Sequence, residues 1–166
     1  KLRNSFYFFD YQSIFPERLT LAFIKSAAEY GARVSNYTPV EGFIFENGNR
    51  IKGVKVRDVF SGEAKNIHAD LVVNCGGTWA DKILSLAANK DTAAHKVKRS
   101  EGIHIITRKI AGNHVVSLQK KEGGFLMIMP WRDHSLIGTT DKEFYGDPDD
   151  YHVSRDSINE ILNAVN

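Results

Sequence analysis

The chain has 166 residues, of which 42% are hydrophobic and 25% are charged, the composition of an ordinary globular protein. Its formal net charge is only +2, which gives no reason to expect a nucleic-acid partner. No apolar run approaches the ~20 residues of a membrane-spanning helix, although peripheral membrane contact stays open. A single cysteine, Cys75, excludes an internal disulfide bond and fits a reducing compartment.

Neither end of the sequence resembles a natural terminus, where polar residues are usual. Lys1 stands in place of Met, and the aromatic run Phe6–Phe9 follows almost at once. The last residue, Asn166, lies inside a helical pattern. We therefore expect an internal fragment of a longer protein.

The first third of the chain predicts a strand, a helix and a β-meander. Ser5–Tyr11 is rich in Phe and Tyr and predicts a strand. Pro16–Tyr30 predicts a helix, because Pro opens it, Gly31 ends it and apolar residues recur at helical spacing. Positive-φ turn pairs then separate short apolar runs. The turn pairs join the three strands of the meander, Val40–Glu46, Ile51–Val59 and Ala64–His68, and Arg33–Ser35 is expected as a separate short strand before them.

The stretch LVVNCGGTWAD, residues 71–81, predicts a strand end that a ligand approaches. Leu71–Val73 reads as a buried strand, and Ala80–Ala88 reads as the helix after it. The glycines between them allow close backbone approach. The plain alternative is a tight strand-to-helix connection, since the dinucleotide fingerprint G-x-G-x-x-G occurs nowhere in the chain.

The second half predicts a polar connection, a sheet and a final helix. Asn89–Lys98 reads as the connection. Ser154 is placed to cap a last helix whose apolar residues, from Ile158 to Val165, form one stripe. The strands expected between them are Ile103–Thr107, Val115–Leu118, Phe125–Met129 and Ser135–Gly138.

Two places in this half carry side chains suited to chemistry. If 103–107 is a strand, Ile103 and Ile105 face one way and His104 the other. A histidine on a sheet face is either a structural residue or, beside a cleft, an acid–base group. Thr139-Thr140-Asp141 ends a strand, and forms either a turn held by side-chain hydrogen bonds or the wall of a pocket. The six histidines show no metal-ligand spacing, so no metal site is predicted.

The order of these short motifs resembles the middle of the FAD-dependent glycerol-3-phosphate dehydrogenases, a branch of the D-amino-acid-oxidase-like flavoproteins. The resemblance covers essentially the whole chain. Its most specific part is the string Gly138-Thr139-Thr140-Asp141 followed by Tyr145-Gly146-Asp147-Pro148. The other matching segments are Phe9-Asp10-Tyr11, Pro16-Glu17-Arg18-Leu19, Val72–Asp81, Gly102–Ile106 and Met129-Pro130-Trp131.

The resemblance implies an α+β fragment of a two-domain FAD-binding α/β flavoprotein. Residues 16–95 would form part of the FAD domain, with its helix, β-meander, strand and second helix. Residues 96–166 would form part of the substrate domain, a mixed but mostly antiparallel sheet with a helix. Residues 1–15 would add a strand to that sheet.

The family also implies roles for particular residues. His104 matches the active-site histidine, as catalytic base or substrate ligand. Thr139, Thr140 and Asp141 would stand near the same substrate pocket. Gly76 and Thr78 depart from the family's usual A-G-P-W turn, and Glu101 stands where Lys is common. The residues implied to approach FAD are Val40, Asn74, Cys75, Gly76, Gly77 and Trp79.

The implied reaction is oxidation of sn-glycerol 3-phosphate to dihydroxyacetone phosphate, with FAD as cofactor and quinone as electron acceptor. The parent would be cytoplasmic, with peripheral association at the inner face of the cell membrane. Alternatives stay open: an oxidase using oxygen, an enzyme for another small hydroxy or amino acid, or a non-catalytic ligand-binding module. We expect the chain alone to be colourless and inactive, because the family's phosphate-binding turn and substrate arginines lie outside it.

Overall fold

The computed structural model describes residues 5–87, 97–120 and 123–165. Within these ranges the chain forms three α-helices and nine β-strands, and every pair of hydrogen-bonded strands is antiparallel. The expected mixture of helix and sheet is confirmed. The expected division into two domains stays a prediction.

Helix α1 spans Pro16–Glu29, one residue shorter than expected. Pro16 occupies the first turn, where its missing N–H costs no hydrogen bond. The helix ends where Gly31 takes a positive φ of 93°. None of its residues is buried, so α1 forms its backbone ladder without an apolar core beneath it.

Three strands form the expected meander, in the order β1-β2-β3. They are β1 (Val40–Glu46), β2 (Arg50–Arg57) and β3 (Ala64–His68). Asn47 and Gly48 take positive φ at the first turn and Gly62 does so at the second, as the turn pairs predict. Val56 is the buried hydrophobic residue of this sheet among the described residues.

A four-stranded sheet holds the main core. Its strands are β5 (His104–Arg108), β6 (Val116–Gln119), β7 (Phe125–Trp131) and β8 (His134–Gly138), in the order β5-β8-β7-β6. Helix α3 (Arg155–Val165) covers one face. The core cluster consists of Ile103, Leu126, Ile137 and Ile161, with Ile105 and Ile128 packed against it.

The expected cap of the last helix is confirmed. The backbone N–H of Ser157 donates to the Ser154 hydroxyl at 3.1 Å. Such a bond satisfies one of the N–H groups that the first helical turn leaves without a partner.

Short elements lie between these sheets and after the second one. Helix α2 (Ala80–Ser85) follows a 3₁₀ turn at Gly77–Trp79. Strand β4 (Arg99–Glu101) pairs with β9 (Lys142–Phe144). The sequence did not predict this pair, because both strands are three residues long and their partners lie about 40 positions apart.

Three expected strands are not formed. Residues 5–11, 33–35 and 71–73 have no strand pairing in the described structure, although 5–11 is largely aromatic and 71–73 is wholly apolar. A period-2 or apolar run favours an extended chain, but a strand also requires a neighbouring backbone with which to pair. The predicted connection 89–98 lies mostly outside the described residues. Ala88, where the predicted helix ends, also lies outside them.

The N-terminal segment nevertheless contacts the four-stranded sheet. The Gln12 side-chain amide donates to the Pro130 carbonyl at 2.9 Å. The Arg132 guanidinium lies over both the Phe15 ring and the Trp131 ring, at 5.3 and 4.7 Å from their centroids. Residues 1–15 were expected to add a strand to this sheet; the described part of the segment meets the β7–β8 turn through side chains instead.

Candidate functional site

His104 lies at the start of β5, on the sheet face opposite the core. Ile103 is buried and Ile105 half-buried, whereas His104 and Ile106 are exposed. The predicted alternation of β5 is therefore confirmed. The imidazole of His104 is therefore exposed on the side of the sheet that α3 does not cover.

The residue opposite His104 has to be glycine. His104 pairs with Gly138 in the β5–β8 ladder. A Cβ at position 138 would lie 2.7 Å from His104 Cδ2 and 2.9 Å from the Ile103 carbonyl oxygen. The imidazole therefore leans over the bare backbone of Gly138, and any side chain there would displace it.

Thr140 holds the backbone that carries His104. Its side-chain oxygen accepts a hydrogen bond from the Ile103 N–H at 3.0 Å, and Thr140 is only 3% exposed. The Thr139 hydroxyl donates to the Thr140 carbonyl at 2.8 Å, and Gly102 packs against both threonines. Thr139 and Asp141 are exposed beside this junction. The structure thus brings Thr139 and Thr140 to the base of the His104 strand.

The turn after residue 73 is stabilised by the Asn74 side chain. Its amide group donates to the Ala80 carbonyl, and its oxygen accepts from the Gly76 N–H, both at 3.0 Å. The Trp79 N–H donates to the Gly76 carbonyl at 2.9 Å. The turn is therefore closed by three hydrogen bonds despite its two glycines.

The two glycines of this turn face different surroundings. A Cβ at position 76 would lie 2.5 Å from Ile83 Cδ1, so Gly76 faces α2. Gly77 has a φ of +54°, and a Cβ there would meet no atom within 4 Å. Gly77 therefore presents bare backbone to open space, in a conformation that other residues adopt with strain. Cys75 and Trp79 beside it are exposed, while Val40 is half-buried at the start of β1, with no described contact to this turn.

Arg99 connects the turn to the strand that leads to His104. Its Nε donates to the Thr78 carbonyl at 2.7 Å, and its Nη2 lies 3.3 Å from Asp81 Oδ2. The two charged side chains are 7% and 11% exposed. The Val97 N–H donates to the same Asp81 oxygen. Sequence reasoning missed this contact, because nothing in the chain marks residues 18 or 21 positions apart as partners.

A second network joins the same region to the segment after β9. Trp79 Nε1 donates to Asp149 Oδ1 at 2.7 Å. The Lys82 ammonium lies 2.5 Å from Asp149 Oδ2 and 2.6 Å from Asp147 Oδ1. Hydrogen bonding to Lys82 lowers the pKa of both carboxyls, and hydrogen bonds to Asp147 and then Asp149 raise the pKa of Lys82.

Glu101 is directed at α3 and β9. Its carboxylate accepts from the Ser157 hydroxyl at 3.3 Å, and its backbone pairs with that of Lys142. Lys142 in turn forms an ion pair with Glu160 at 2.8 Å. The unusual acidic residue before Gly102 therefore lies within a small charged cluster on the α3 side of the chain.

The described surface also has concavities. Two of them lie along α1, beside Arg18 and Glu29, and at the end of the meander, beside Lys52 and Asp70. Neither contains a residue predicted for the site. In the described part of the chain no group of three His, Cys, Asp or Glu residues is arranged to bind a metal. None of the described helices has the length and apolar character needed to cross a membrane.

Comparison with protein families matches all of residues 1–166 to "DAO: FAD dependent oxidoreductase". An "Alpha-glycerophosphate oxidase" of Streptococcus pneumoniae is 31% identical over 153 residues. A "Glycerol-3-phosphate dehydrogenase" of Mycobacterium leprae is 34% identical over 150 residues. Each alignment covers 90% of this chain and 25% of the relative, so the chain spans about a quarter of the length of these curated relatives.

Among solved structures, the glycerol-3-phosphate dehydrogenase from Bacillus halodurans complexed with FAD superposes with a TM-score of 0.79. It is 29% identical in sequence, and the match covers 90% of this chain and 30% of that one. The fold of the described residues is therefore that of a corresponding part of a flavoprotein.

Proposed function

The chain belongs to the DAO family of FAD-dependent oxidoreductases, and on that premise we propose that it is part of an enzyme that oxidises sn-glycerol 3-phosphate to dihydroxyacetone phosphate. The relatives that support this substrate include both dehydrogenases and oxidases of glycerol 3-phosphate. The observation that carries the proposal is His104, an exposed imidazole held on the face opposite the core by Gly138 and Thr140.

The glycine turn fits a role in holding FAD. Gly77 offers backbone without a side chain, and the space where its Cβ would stand is open. Bare backbone of this kind is what a dinucleotide can approach closely. We propose that the FAD-binding residues of this chain are Asn74, Cys75, Gly76, Gly77, Trp79 and, through its backbone, Val40.

The oxidation of a secondary alcohol needs a proton acceptor at the hydroxyl oxygen. FAD, when bound, supplies the acceptor for the hydride that leaves carbon. An imidazole nitrogen of His104 takes the hydroxyl proton, which a neutral histidine does well near pH 7. Thr140 acts through the backbone of Ile103, while the exposed Thr139 and Asp141 line the approach to His104.

Quinone is the proposed electron acceptor, at the inner face of the cell membrane with which the whole protein associates peripherally. Oxygen is the alternative, supported by the similarity to the streptococcal oxidases. Reoxidation of the reduced flavin by a soluble quinone and by dissolved oxygen, followed by absorbance, separates the two. Faster reoxidation by oxygen would replace the dehydrogenase assignment with an oxidase.

The test of the substrate is a steady-state assay of the complete protein that contains these residues. Glycerol 3-phosphate should be turned over, and His104→Gln should lower kcat by ~10²–10⁴-fold, the usual range for an acid–base group. His134→Gln, at the other end of the paired strands, is the matched control and should keep kcat within about twofold. Turnover of a 2-hydroxy acid or an amino acid in place of glycerol 3-phosphate would contradict the proposal.

The 166-residue chain alone should be colourless and inactive, and flavin absorbance in it would contradict that expectation.

A further inference from the structure

The string Tyr145-Gly146-Asp147-Pro148 and the two acidic residues after it have no task in the proposed function above. In the structure this segment reaches the glycine turn, although about 70 residues separate them in sequence. Asp149 contacts both Trp79, the last residue of the 3₁₀ turn, and Lys82 in the first turns of α2. The contacts therefore fix one end of the glycine turn against the segment that follows β9.

The acidic segment has a defined shape of its own. Asp147 caps the 3₁₀ turn Pro148–Asp150 by accepting from the Asp149 N–H at 2.9 Å. Pro148 sets the first position of that turn. Gly146 is packed closely against Phe144, since a Cβ there would lie 2.7 Å from the Phe144 ring. Asp149 is thus presented from a short, pre-ordered turn.

Removing Asp149 would affect its two partners differently. Its two oxygens serve two partners, the indole N–H of Trp79 and the ammonium of Lys82. Lys82 keeps a second carboxylate, Asp147, if Asp149 is removed. Trp79 Nε1 has Asp149 as its acceptor. The side chains of Lys82, Asp147 and Asp149 are 40–61% exposed, so solvent screens their charges and the contribution is mainly one of geometry.

We propose that Asp149 is a positioning residue, which through Trp79 and Lys82 keeps the glycine turn 76–79 in the shape that binds the flavin dinucleotide. The inference rests on the proposed function and assigns a task to the acidic end of the Y-G-D-P string. It also links strand β9, which belongs to the predicted substrate domain, to the turn that we propose binds FAD, because Asp149 follows β9 by five residues.

The test compares three variants of the complete protein that contains these residues. Asp149→Ala removes both contacts, and Asp149→Asn keeps an acceptor for the indole N–H. Asp150→Ala is the matched control from the same 3₁₀ turn, and it leaves both contacts in place. Two quantities are measured: the Kd for FAD by flavin fluorescence, and the Trp79 indole ¹H–¹⁵N resonance in flavin-free protein, assigned with Trp79→Phe.

Asp149→Ala should raise the Kd for FAD about fivefold, the loss expected for one such hydrogen bond, and should shift the indole resonance. Asp149→Asn should restore most of both, and Asp150→Ala should change neither. An unchanged indole resonance in Asp149→Ala overturns the inference whether or not flavin binds. An unchanged Kd together with a shifted resonance also overturns it, because the contact would then exist without positioning the turn.

Failure of the proposed function gives a different result. A wild-type protein that binds FAD without oxidising glycerol 3-phosphate contradicts the substrate, and the Kd values still decide the role of Asp149. A wild-type protein that binds no FAD contradicts the proposed function together with this inference.

Discussion

Two regions of the molecule bury their apolar residues very differently. In the four-stranded sheet, Leu126 and Ile161 are 2% and 1% exposed, and α3 closes the core. In α1 no residue is buried, and Leu19 and Phe23 are more than half exposed. Both regions have amphipathic sequences, so the pattern alone does not separate them.

The difference teaches where the stability of the described chain lies. Helices gain most of their stability from packing an apolar face, and an isolated helix of 14 residues is marginal in water. The four-stranded sheet supplies its own packing, whereas among the described residues α1 has its backbone ladder and the contacts of Phe15 at its N-terminal end. His104 therefore belongs to the four-stranded sheet, the region whose core is well packed.

The largest expected effect comes from breaking the core beneath His104. Ile161→Ala leaves a cavity against Ile103, Leu126 and Ile137, and should lower the free energy of unfolding by about 2–5 kcal/mol. Leu19→Ala in α1 is the control and should change it by less than about 0.5 kcal/mol. Urea denaturation followed by circular dichroism measures both. Equal losses in the two variants would show that α1 is packed as firmly as α3.

The next effect concerns the link between the core and His104. Thr140→Val keeps the shape of the side chain but leaves the Ile103 N–H without its acceptor in a buried place. The free energy of unfolding should fall by about 1–3 kcal/mol. Thr139→Val, at the exposed neighbour, should cost less than about 0.5 kcal/mol. If the two variants are equally stable in urea, the buried bond does not support the His104 strand.

A smaller effect is expected where the glycine turn meets α2. The backbone of Gly76, with φ near −71°, suits alanine, but the new Cβ would crowd Ile83 Cδ1. Because Cδ1 is the end of a flexible side chain, Gly76→Ala should cost no more than about 1 kcal/mol. Ile83→Val removes that atom, so Gly76→Ala should cost less in the Ile83→Val background, where Asn74 Oδ1, 3.0 Å from the new Cβ, is a remaining close contact. A double-mutant cycle in urea measures the coupling, and a coupling of zero would contradict the contact.

The smallest effect is the pH dependence of the Lys82 network. Asp147 and Asp149 have pKa values below the ordinary 3.8, so their contribution is complete above pH 3.8 and is lost as the pH falls through the lowered values. Lys82 has a pKa above 10.5, so its contribution is complete below pH 10.5 and is lost as the pH rises further. The Trp79 indole resonance should therefore be constant between these limits.

The control for that titration is Asp149→Asn, in which the indole resonance should no longer follow the acid titration of this carboxyl. A wild-type resonance that moves between pH 5 and 9 would show that another group governs the Trp79 contact.

Much of the fold follows from local chemistry in the sequence. The bounds of β1 and β3 are the predicted ones, because glycine-containing turn pairs separate short runs suited to strands. The cap at Ser154 and the outward face of His104 also follow, since a hydroxyl before a helix and a period of two along a strand act over a few residues. The order of the motifs gave the family.

The tertiary structure alone decided which segments find partners. Residues 71–73 are as apolar as β7 but form no ladder in the described structure. A strand requires a neighbouring strand with which to pair, and local sequence does not identify that partner. The same holds for the Arg99 contact with Thr78 and for Asp149 with Trp79. The sequence by itself indicates His104 and Gly77 as candidate site residues. The residues that hold them in place are Thr140, Arg99 and Asp149. Their contacts join segments far apart in sequence, so only the folded structure reveals them.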